Sequence, residues 1–405
     1  MINRTIKQYI IDSFKFKEIT VLIGARQVGK TTVLKEIISN LDKSIYFNLD
    51  IESDNAHFTS QQEFLQKIQL EFGNERAYIF IDEIQQKENA GRFLKGLYDM
   101  GLPYKFIVTG SGSIELKEKT NEALTGRKHL IEMSPVTFSE FVNYKTNYKY
   151  TKRLKQYFKV EKEQTELFLK EYLVFGGYPA VVTEETILRK KEIMNEVFRS
   201  YITKDVSFLL DVKFPDKFVK LIQLLAVQSG SMLNYSQLAQ DNSLSVETLK
   251  TYLWYAEQTF IISIVKPYFT NAKKEITKSP NIYFNDLGML NFSKFNFGTN
   301  QTDGMLFQNF IYLLLKQKYE KGLNKINFWR TKDKAEVDFV VQSKTGVIPV
   351  EVKYSELRKT TVSRSFRSFL KKYSPKTAYI VNLSLDTEIE IENTNIKFIP
   401  YWKLV

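Results

Sequence analysis

The run Gly24-Ala25-Arg26-Gln27-Val28-Gly29-Lys30-Thr31-Thr32 constrains this chain more than any other stretch. It has the GxxxxGK[ST] spacing of a phosphate-binding loop, a pattern that carries meaning only between a strand and a helix. Ile19-Thr-Val-Leu-Ile23 precedes it as a continuous apolar run, which predicts a buried strand. Thr32-Val-Leu-Lys-Glu-Ile-Ile38 follows with apolar residues at helical spacing. Glycines let backbone N–H groups turn inward around a phosphate, and the helix N-terminus adds partial positive charge. The pattern assigns Lys30 to the β- and γ-phosphates of ATP and the Thr31 hydroxyl to its Mg²⁺. The bland alternative is an ordinary tight turn, and the rest of the chain weighs against it.

Ala77-Tyr-Ile-Phe-Ile-Asp82-Glu83 runs from apolar residues into two acids, the pattern of a parallel strand ending at the carboxyl edge of a sheet. Ligands of open α/β sheets collect at that edge. Asp82 is expected in the Mg²⁺ shell, and Glu83 is placed to orient or deprotonate the attacking water. Lys105-Phe-Ile-Val-Thr109-Gly-Ser111 predicts a neighbouring strand, with Thr109 or Ser111 able to reach the water or the γ-phosphate. Nucleoside triphosphate binding with hydrolysis is the expected activity of this region, with Lys30 and Glu83 as catalytic residues.

Composition bounds the remainder. A chain of 405 residues, 43% hydrophobic and 26% charged, is long enough for two or three cores. The absence of cysteine excludes disulfides, zinc–thiolate clusters and thiol catalysis, and fits a cytoplasmic location. His57 and His129 are the only histidines, which leaves little scope for histidine metal sites. No apolar run is long enough to span a bilayer, and the first residues do not read as a signal peptide, so no membrane partner is expected. A net charge of +12 favours an acidic partner, with nucleic acid first. DNA and a second copy of the chain are the candidate macromolecular partners.

Four regions are predicted. Residues 1–145 form the nucleotide-binding α/β unit, with a strand at Ser44–Leu49 and helices over Ser60–Phe72 and Gly91–Met100. Residues 146–215 read as a helical lid or connector, broken at Phe175-Gly-Gly-Tyr-Pro179. Residues 216–270 show three helical patterns and a strand, Phe260–Val265, at the spacing of a winged helix-turn-helix. Ser245 caps the third pattern, which begins at Val246; Leu249, Leu253 and Ala256 face its core, while Glu247, Thr248, Lys250 and Thr251 face out. One lysine against one glutamate is a poor phosphate-binding face, so this region reads equally as DNA contact or as internal packing.

Residues 271–405 hold a second constellation. Ala335-Glu336-Val-Asp338-Phe-Val-Val341 and Val347-Ile-Pro-Val-Glu351-Val-Lys353 predict a hairpin around Ser343–Gly346, with alternate residues on one face. It brings Asp338, Glu351 and Lys353 together. Two carboxylates can hold a hard divalent ion, and a nearby lysine can position a nucleophilic water. A solvated acidic hairpin is an equally available reading of these residues alone. A helix from Glu356 to Tyr373 and a strand at Thr377–Val381 are expected to follow.

Over its full length the chain resembles the prokaryotic AAA-type ATPases that end in a restriction-endonuclease-like domain. The resemblance runs through Gly24 to Thr32, Ile81-Asp-Glu-Ile84, Val108-Thr-Gly-Ser111, Thr125-Gly-Arg127, Phe175-Gly-Gly-Tyr-Pro179, Lys204-Asp205, Ile282-Tyr-Phe-Asn-Asp286-Leu-Gly and Glu336-Val-Asp338-Phe. It implies a parallel P-loop sheet followed by a helical lid, a winged helix and a small α/β nuclease-like domain. It also implies that Arg127 lies near the nucleotide, as a sensor or an arginine finger; a surface cation after a turn is the alternative. One departure bears on the last domain. Where such proteins carry an acid in a Gly-x-x-x-Glu-Asn setting, this chain has Gly304-Met-Leu-Phe-Gln308-Asn309. Losing that charge predicts weaker metal binding and puts nuclease activity in doubt.

Three readings follow: a DNA-directed ATPase, a nucleotide-controlled switch or scaffold with an inactive nuclease-like domain, and a transcription regulator acting through the winged helix. The third needs a basic outer face on Val246 to Glu257, which the sequence does not supply.

Overall fold

β1 (Ile19–Gly24) is buried along its whole length, as its unbroken apolar run requires of a central parallel strand. In the computed structural model, which describes residues 1–111, 124–209, 212–269, 278–319, 324–344 and 346–405, the chain divides into two compact units. The first comprises Met1–Glu140, Tyr178–Pro215 and Tyr252–Ile261. The second comprises Phe141–Gly177, Asp216–Thr251 and Ile262–Val405.

The first unit is built on β1, β2 (Ser44–Asn48), β3 (Tyr78–Asp82), β4 (Lys105–Ser111) and β5 (Lys128–Glu132), in the spatial order β2-β3-β4-β1-β5. Every neighbouring pair is parallel. All five strands therefore end at one edge, which gathers Gly24, Asn48, Asp82 and Ser111 there. The helix Lys30–Ile38 packs on β1 and β2, and Val33, Leu34 and Ile37 supply its buried face. Ser60 caps the helix Gln61–Phe72 by accepting from the Glu63 N–H. Phe47, Phe58, Phe64 and Phe93 form an aromatic cluster beneath β2. Burying several such rings supplies most of the driving force for docking these helices.

The second unit contains a two-stranded antiparallel ribbon, β6 (Ile262–Val265) with β7 (Asn281–Phe284), and a six-stranded mixed sheet. That sheet comprises β8 (Lys325–Arg330), β9 (Glu336–Ser343), β10 (Gly346–Val352), β11 (Thr377–Asn382), β12 (Thr387–Ile391) and β13 (Thr394–Pro400), in the order β12-β13-β11-β10-β9-β8. β8, β9 and β10 form an antiparallel meander, and β11 joins β10 in parallel through the helix Arg364–Tyr373. Phe366, Phe369 and Leu370 of that helix pack with Val337, Val340, Ala378, Ile380, Ile396 and Phe398 on one face of the sheet.

The helix starts at Arg364 rather than at Glu356. Thr360, Thr361 and Val362 are β-branched and disfavour helix, and Ser363 then caps the first turn by accepting from the Phe366 N–H. The helices Pro215–Val227, Tyr235–Asp241 and Val246–Gln258 follow in order, and the Ser245 hydroxyl accepts from the Thr248 N–H at 3.1 Å. Leu249 and Ala256 are fully buried, whereas Glu247, Lys250 and Thr251 are exposed.

Two motifs of the second unit hold each other. Asp286 accepts from the N–H groups of Gly177 and Met289, so one carboxylate fixes the double-glycine turn and caps the helix Leu287–Ser293. Burial nevertheless pushes the Asp286 carboxyl up to about 6. Asn309, fully buried, accepts from the Phe284 N–H and donates to the Phe284 carbonyl, tying the helix Gly304–Tyr319 to β7. Removing that side chain leaves a buried N–H unpaired, at a cost of about 1–3 kcal/mol.

Candidate functional site

The loop between β1 and the helix Lys30–Ile38 takes the shape its glycines allow. Gly29 caps the helix at φ 98°, a left-handed conformation that L side chains rarely adopt. At Gly24 a Cβ would stand 2.3 Å from the Met133 carbonyl oxygen, so only glycine lets the loop lie against the chain leaving β5. Arg4 clamps the loop from behind. Its guanidinium donates to the carbonyls of Val28 at 2.8 Å and Ser134 at 2.6 Å, and pairs with Glu140 at 3.0 Å. Nothing in the local sequence around Arg4 announces this role.

Lys30 is buried, and its ammonium donates to the carbonyls of Gly24 and Ala25, both at 2.9 Å. Burial lowers its pKa to about 8 against the opposing pull of Glu83, Asp205 and Asp82. An ammonium held only by carbonyls in a poorly solvated loop gains strongly from an incoming phosphate. The Thr31 hydroxyl donates to Asp82 Oδ2 at 2.6 Å, and the Tyr46 hydroxyl donates to the same oxygen at 2.8 Å. Thr109 donates to Asp82 Oδ1, which also accepts from the Glu83 N–H at 3.2 Å. Asp82 is thus buried but saturated, mostly by hydroxyls. Burial, reinforced by the hydrogen bond to this carboxylate, pushes the Tyr46 phenol up.

Glu83 follows in the left-handed region, at φ 56°, and its carboxylate accepts from Gln85. Strained backbone of this kind is held only where surrounding structure fixes it, and it concentrates at functional sites. The structure therefore brings together Lys30, Thr31, Asp82, Glu83 and Thr109. Ala25 and Val28 are buried in the loop, Arg26 is partly buried, and Gln27 and Thr32 are exposed. Ser111 pairs with Gly24 in the β1–β4 register, but its side chain lies outside the described residues.

Arg127 is not brought to this group. Its carbonyl accepts from the Ile19 N–H, at the start of β1, whereas the phosphate loop leaves the other end of that strand. Five residues of strand separate the two edges by about 16 Å. Arg127 instead pairs with Asp99 at 2.7 Å on a half-exposed surface. Two residues that the local motifs do not name do reach the site: Tyr46 from β2 and Asp205, whose Oδ2 accepts from Arg26 Nε at 2.8 Å. Alternation along the β2 segment could have suggested Tyr46; Asp205, 179 residues from Arg26, is flagged only by the Lys204-Asp205 motif of the family resemblance.

In the second unit, Asp338 and Glu351 stand opposite each other, one step beyond the paired residues Phe339 and Val350. Glu351 pairs with Lys353 at 2.7 Å and accepts from the Ser363 hydroxyl at 2.9 Å. Asp338 accepts from the Val352 N–H at 2.7 Å and from Gln308 Nε2 at 3.1 Å, and the same Gln308 amide donates to the Tyr283 hydroxyl. Burial, with Glu351 nearby, raises the Asp338 pKa to about 7. Asp338 and Gln308 border a cleft of about 130 Å³ that Arg330 and Glu336 also line. The donor set does not suit a divalent ion: both carboxylates are occupied by N–H, O–H or ammonium donors. Among the described residues no three acidic, histidine or cysteine side chains group as ligands. No helix among them is long and apolar enough to cross a membrane.

Residues 16–142 match the family model AAA_14, an AAA domain. Residues 167–300 and 303–404 match two domains of unknown function, DUF8612 and DUF4143. An uncharacterized protein of Methanocaldococcus jannaschii is 27% identical over 421 positions, covering 100% of this chain and 90% of its own length. One from Haemophilus influenzae is 25% identical over 374 positions, covering 87% of each. Among solved structures, the Walker-type ATPase of Pyrococcus abyssi is 14% identical, covers 73% of this chain and 96% of its own, and has a TM-score of 0.45. The all-parallel sheet, the loop geometry and the family match agree: residues 16–142 are an AAA-type P-loop ATPase domain.

Proposed function

We propose that the chain is a Mg²⁺-dependent ATPase whose hydrolysis drives or gates its C-terminal half. The observation that carries this is the Thr31 hydroxyl held 2.6 Å from Asp82, beside the buried Lys30 and next to Glu83. Thr31 and Asp82 would hold the ion, directly or through water, and the ion would offset charge on the β- and γ-phosphates. Lys30 binds those phosphates. Water adds to the γ-phosphorus, the bond to the β–γ bridging oxygen breaks with its electron pair leaving on ADP, and Glu83 accepts the proton. Replacing Glu83 with Gln should keep ATP affinity within about threefold and lower phosphate release about 100-fold or more. Parent-like turnover in that variant would remove Glu83 from the role of base.

We read the output as DNA-directed, with residues 216–270 as a winged helix and 271–405 as a restriction-endonuclease-like domain. Charge supports a polyanion: residues 353–376 carry eight Lys or Arg against one Glu, and so hold +7 of the chain's +12. The helix Val246–Gln258 offers no such face. ATPase rates that are equal with and without duplex DNA would count against this reading. The Gln308–Asp338 bond favours a second reading of the same domain, a binding module that does not cleave. Arg127, placed at the far edge of the sheet, would serve as an arginine finger only toward another copy of the chain.

A further inference from the structure

Arg26 and Asp205 form an ion pair in the first unit that the phosphate-loop spacing by itself does not require. Arg26 occupies one of the variable positions of the phosphate loop. Asp205 lies in the π-helical segment Tyr201–Leu209, which continues the helix Ile187–Ser200. π-Helical turns are uncommon and concentrate at functional sites. Here the wider turn sets a carboxylate, only 3% exposed, against the phosphate loop. It is near enough to Lys30 and Glu83 for their charges to act on it.

The pairing is incomplete in a telling way. Arginine–carboxylate pairs are frequently bidentate, joined by two parallel N–H···O bonds. In this pair one bond forms, from Arg26 Nε to Asp205 Oδ2, at 2.8 Å. Asp205 Oδ1 is buried with no hydrogen-bond partner. Among the described residues the two terminal amino groups of Arg26 have none either. A guanidinium gripped by its inner nitrogen, at the rim of a phosphate site, presents its outer face to an anion. The buried carboxylate holds the side chain in that orientation, which a surface arginine on a loop would not keep by itself.

We propose that Asp205 is a positioning residue that aims Arg26 at the γ-phosphate of the bound nucleotide, making Arg26 an arginine supplied in cis that distinguishes ATP from ADP. This rests on the ATPase reading and adds to it a residue beyond the loop lysine that contacts the transferred phosphoryl group. Charge builds on that group's outer oxygens during hydrolysis, where a second fixed cation acts most strongly.

The test uses the full chain with N-methylanthraniloyl-ATP and -ADP as binding probes, together with steady-state phosphate release. Arg26→Ala should lower kcat about 10- to 100-fold, raise KM for ATP, and abolish the preference for the ATP probe over the ADP probe. Asp205→Asn, nearly isosteric and free of the buried charge, should lower kcat about tenfold alone and add nothing in the Arg26→Ala background. Arg26→Lys should rescue binding more than turnover, because a lysine cannot be gripped by one nitrogen and donate with two others. Asp205→Asn with parent kcat, or full additivity of the two changes, would overturn the assignment, since a merely structural pair loses stability without this coupling. If the parent neither binds the probe nor releases phosphate, the ATPase reading fails and this inference goes with it. An active parent with unaffected variants sinks the inference alone.

Discussion

Asp82, buried at the end of β3, and Asp338, partly buried near the start of β9, each lie near a lysine and a second carboxylate, yet their partners differ in kind. Asp82 is held by the hydroxyls of Thr31, Tyr46 and Thr109 and by one N–H. A hydroxyl that donates to a carboxylate can rotate and offer a lone pair to a cation instead. Asp338 is held by the Val352 N–H, which only donates, and by Gln308 Nε2, whose amide must turn over before its oxygen can meet a cation. A cation arriving there meets the positive ends of both dipoles. Two sites with similar acid content therefore differ in what they can accept, and the deciding atoms belong to neighbours rather than to the carboxylates.

Breaking that contrast from the first side gives the largest effect. Lys30→Ala should weaken ATP binding about 100-fold or more, because the loop then has no side-chain cation that spans the β- and γ-phosphates. Titration with a fluorescent ATP analogue reads it, and parent-like affinity would show that the loop backbone alone does the binding. From the second side, Gln308→Glu replaces an amide donor by a third carboxylate beside Asp338 and Glu351. Calorimetry with Mn²⁺ should find a site in the variant, with a Kd of about 10⁻⁵ to 10⁻³ M, and none in the second unit of the parent. An Asp82→Asn background removes the first site's metal-holding carboxylate from that measurement. Equal binding by parent and variant would dissolve the distinction between the two sites.

How far the sequence discloses each site depends on the length of chain that has to cooperate. Gly24 to Thr31 is a local backbone device, so loop, strand and helix are legible together. Asp82 and Glu83 end a continuous apolar strand, and their place at the sheet edge follows from the strand being parallel. Asp338 and Glu351 meet because a hairpin has a period of two. The partners that set the chemistry are different. Tyr46, Asp205 and Arg4 converge on the nucleotide site from separate elements, and only the strand order and the π-helical turn bring them there. Arg127 illustrates the converse: a residue that the family resemblance places near the nucleotide is carried by the β5 register to the opposite edge of the sheet. Even the helix after β10 began eight residues later than its composition suggests, since a run of β-branched residues ahead of a serine cap outweighs the charged residues before it.

The smallest effect, and the most specific to the second site, is a pH dependence. Asp338 ionises near 3.8 in an ordinary setting and near 7 in the folded chain, chiefly through burial, with the Val352 N–H opposing and Glu351 adding to the rise. Between those values the folded state binds more protons than the unfolded state, so this residue's contribution to stability falls as pH rises from about 4 to about 7. Below that window the contribution is intact, and above it the loss is complete and constant. Asp338→Asn keeps the shape and an acceptor for the Val352 N–H but cannot ionise. Its stability relative to the parent should therefore climb across the same window and then level off, by about 1–2 kcal/mol once solvent at the cleft mouth is allowed for. Urea melts at a series of pH values, followed through tryptophan fluorescence, measure that difference directly. A difference that stays flat with pH would mean that Asp338 is ionised throughout. The cleft would then be a standing anionic site, and the N–H groups that Gln308 and Val352 turn toward Asp338, with the Lys353 ammonium on Glu351, would be the barrier to a cation.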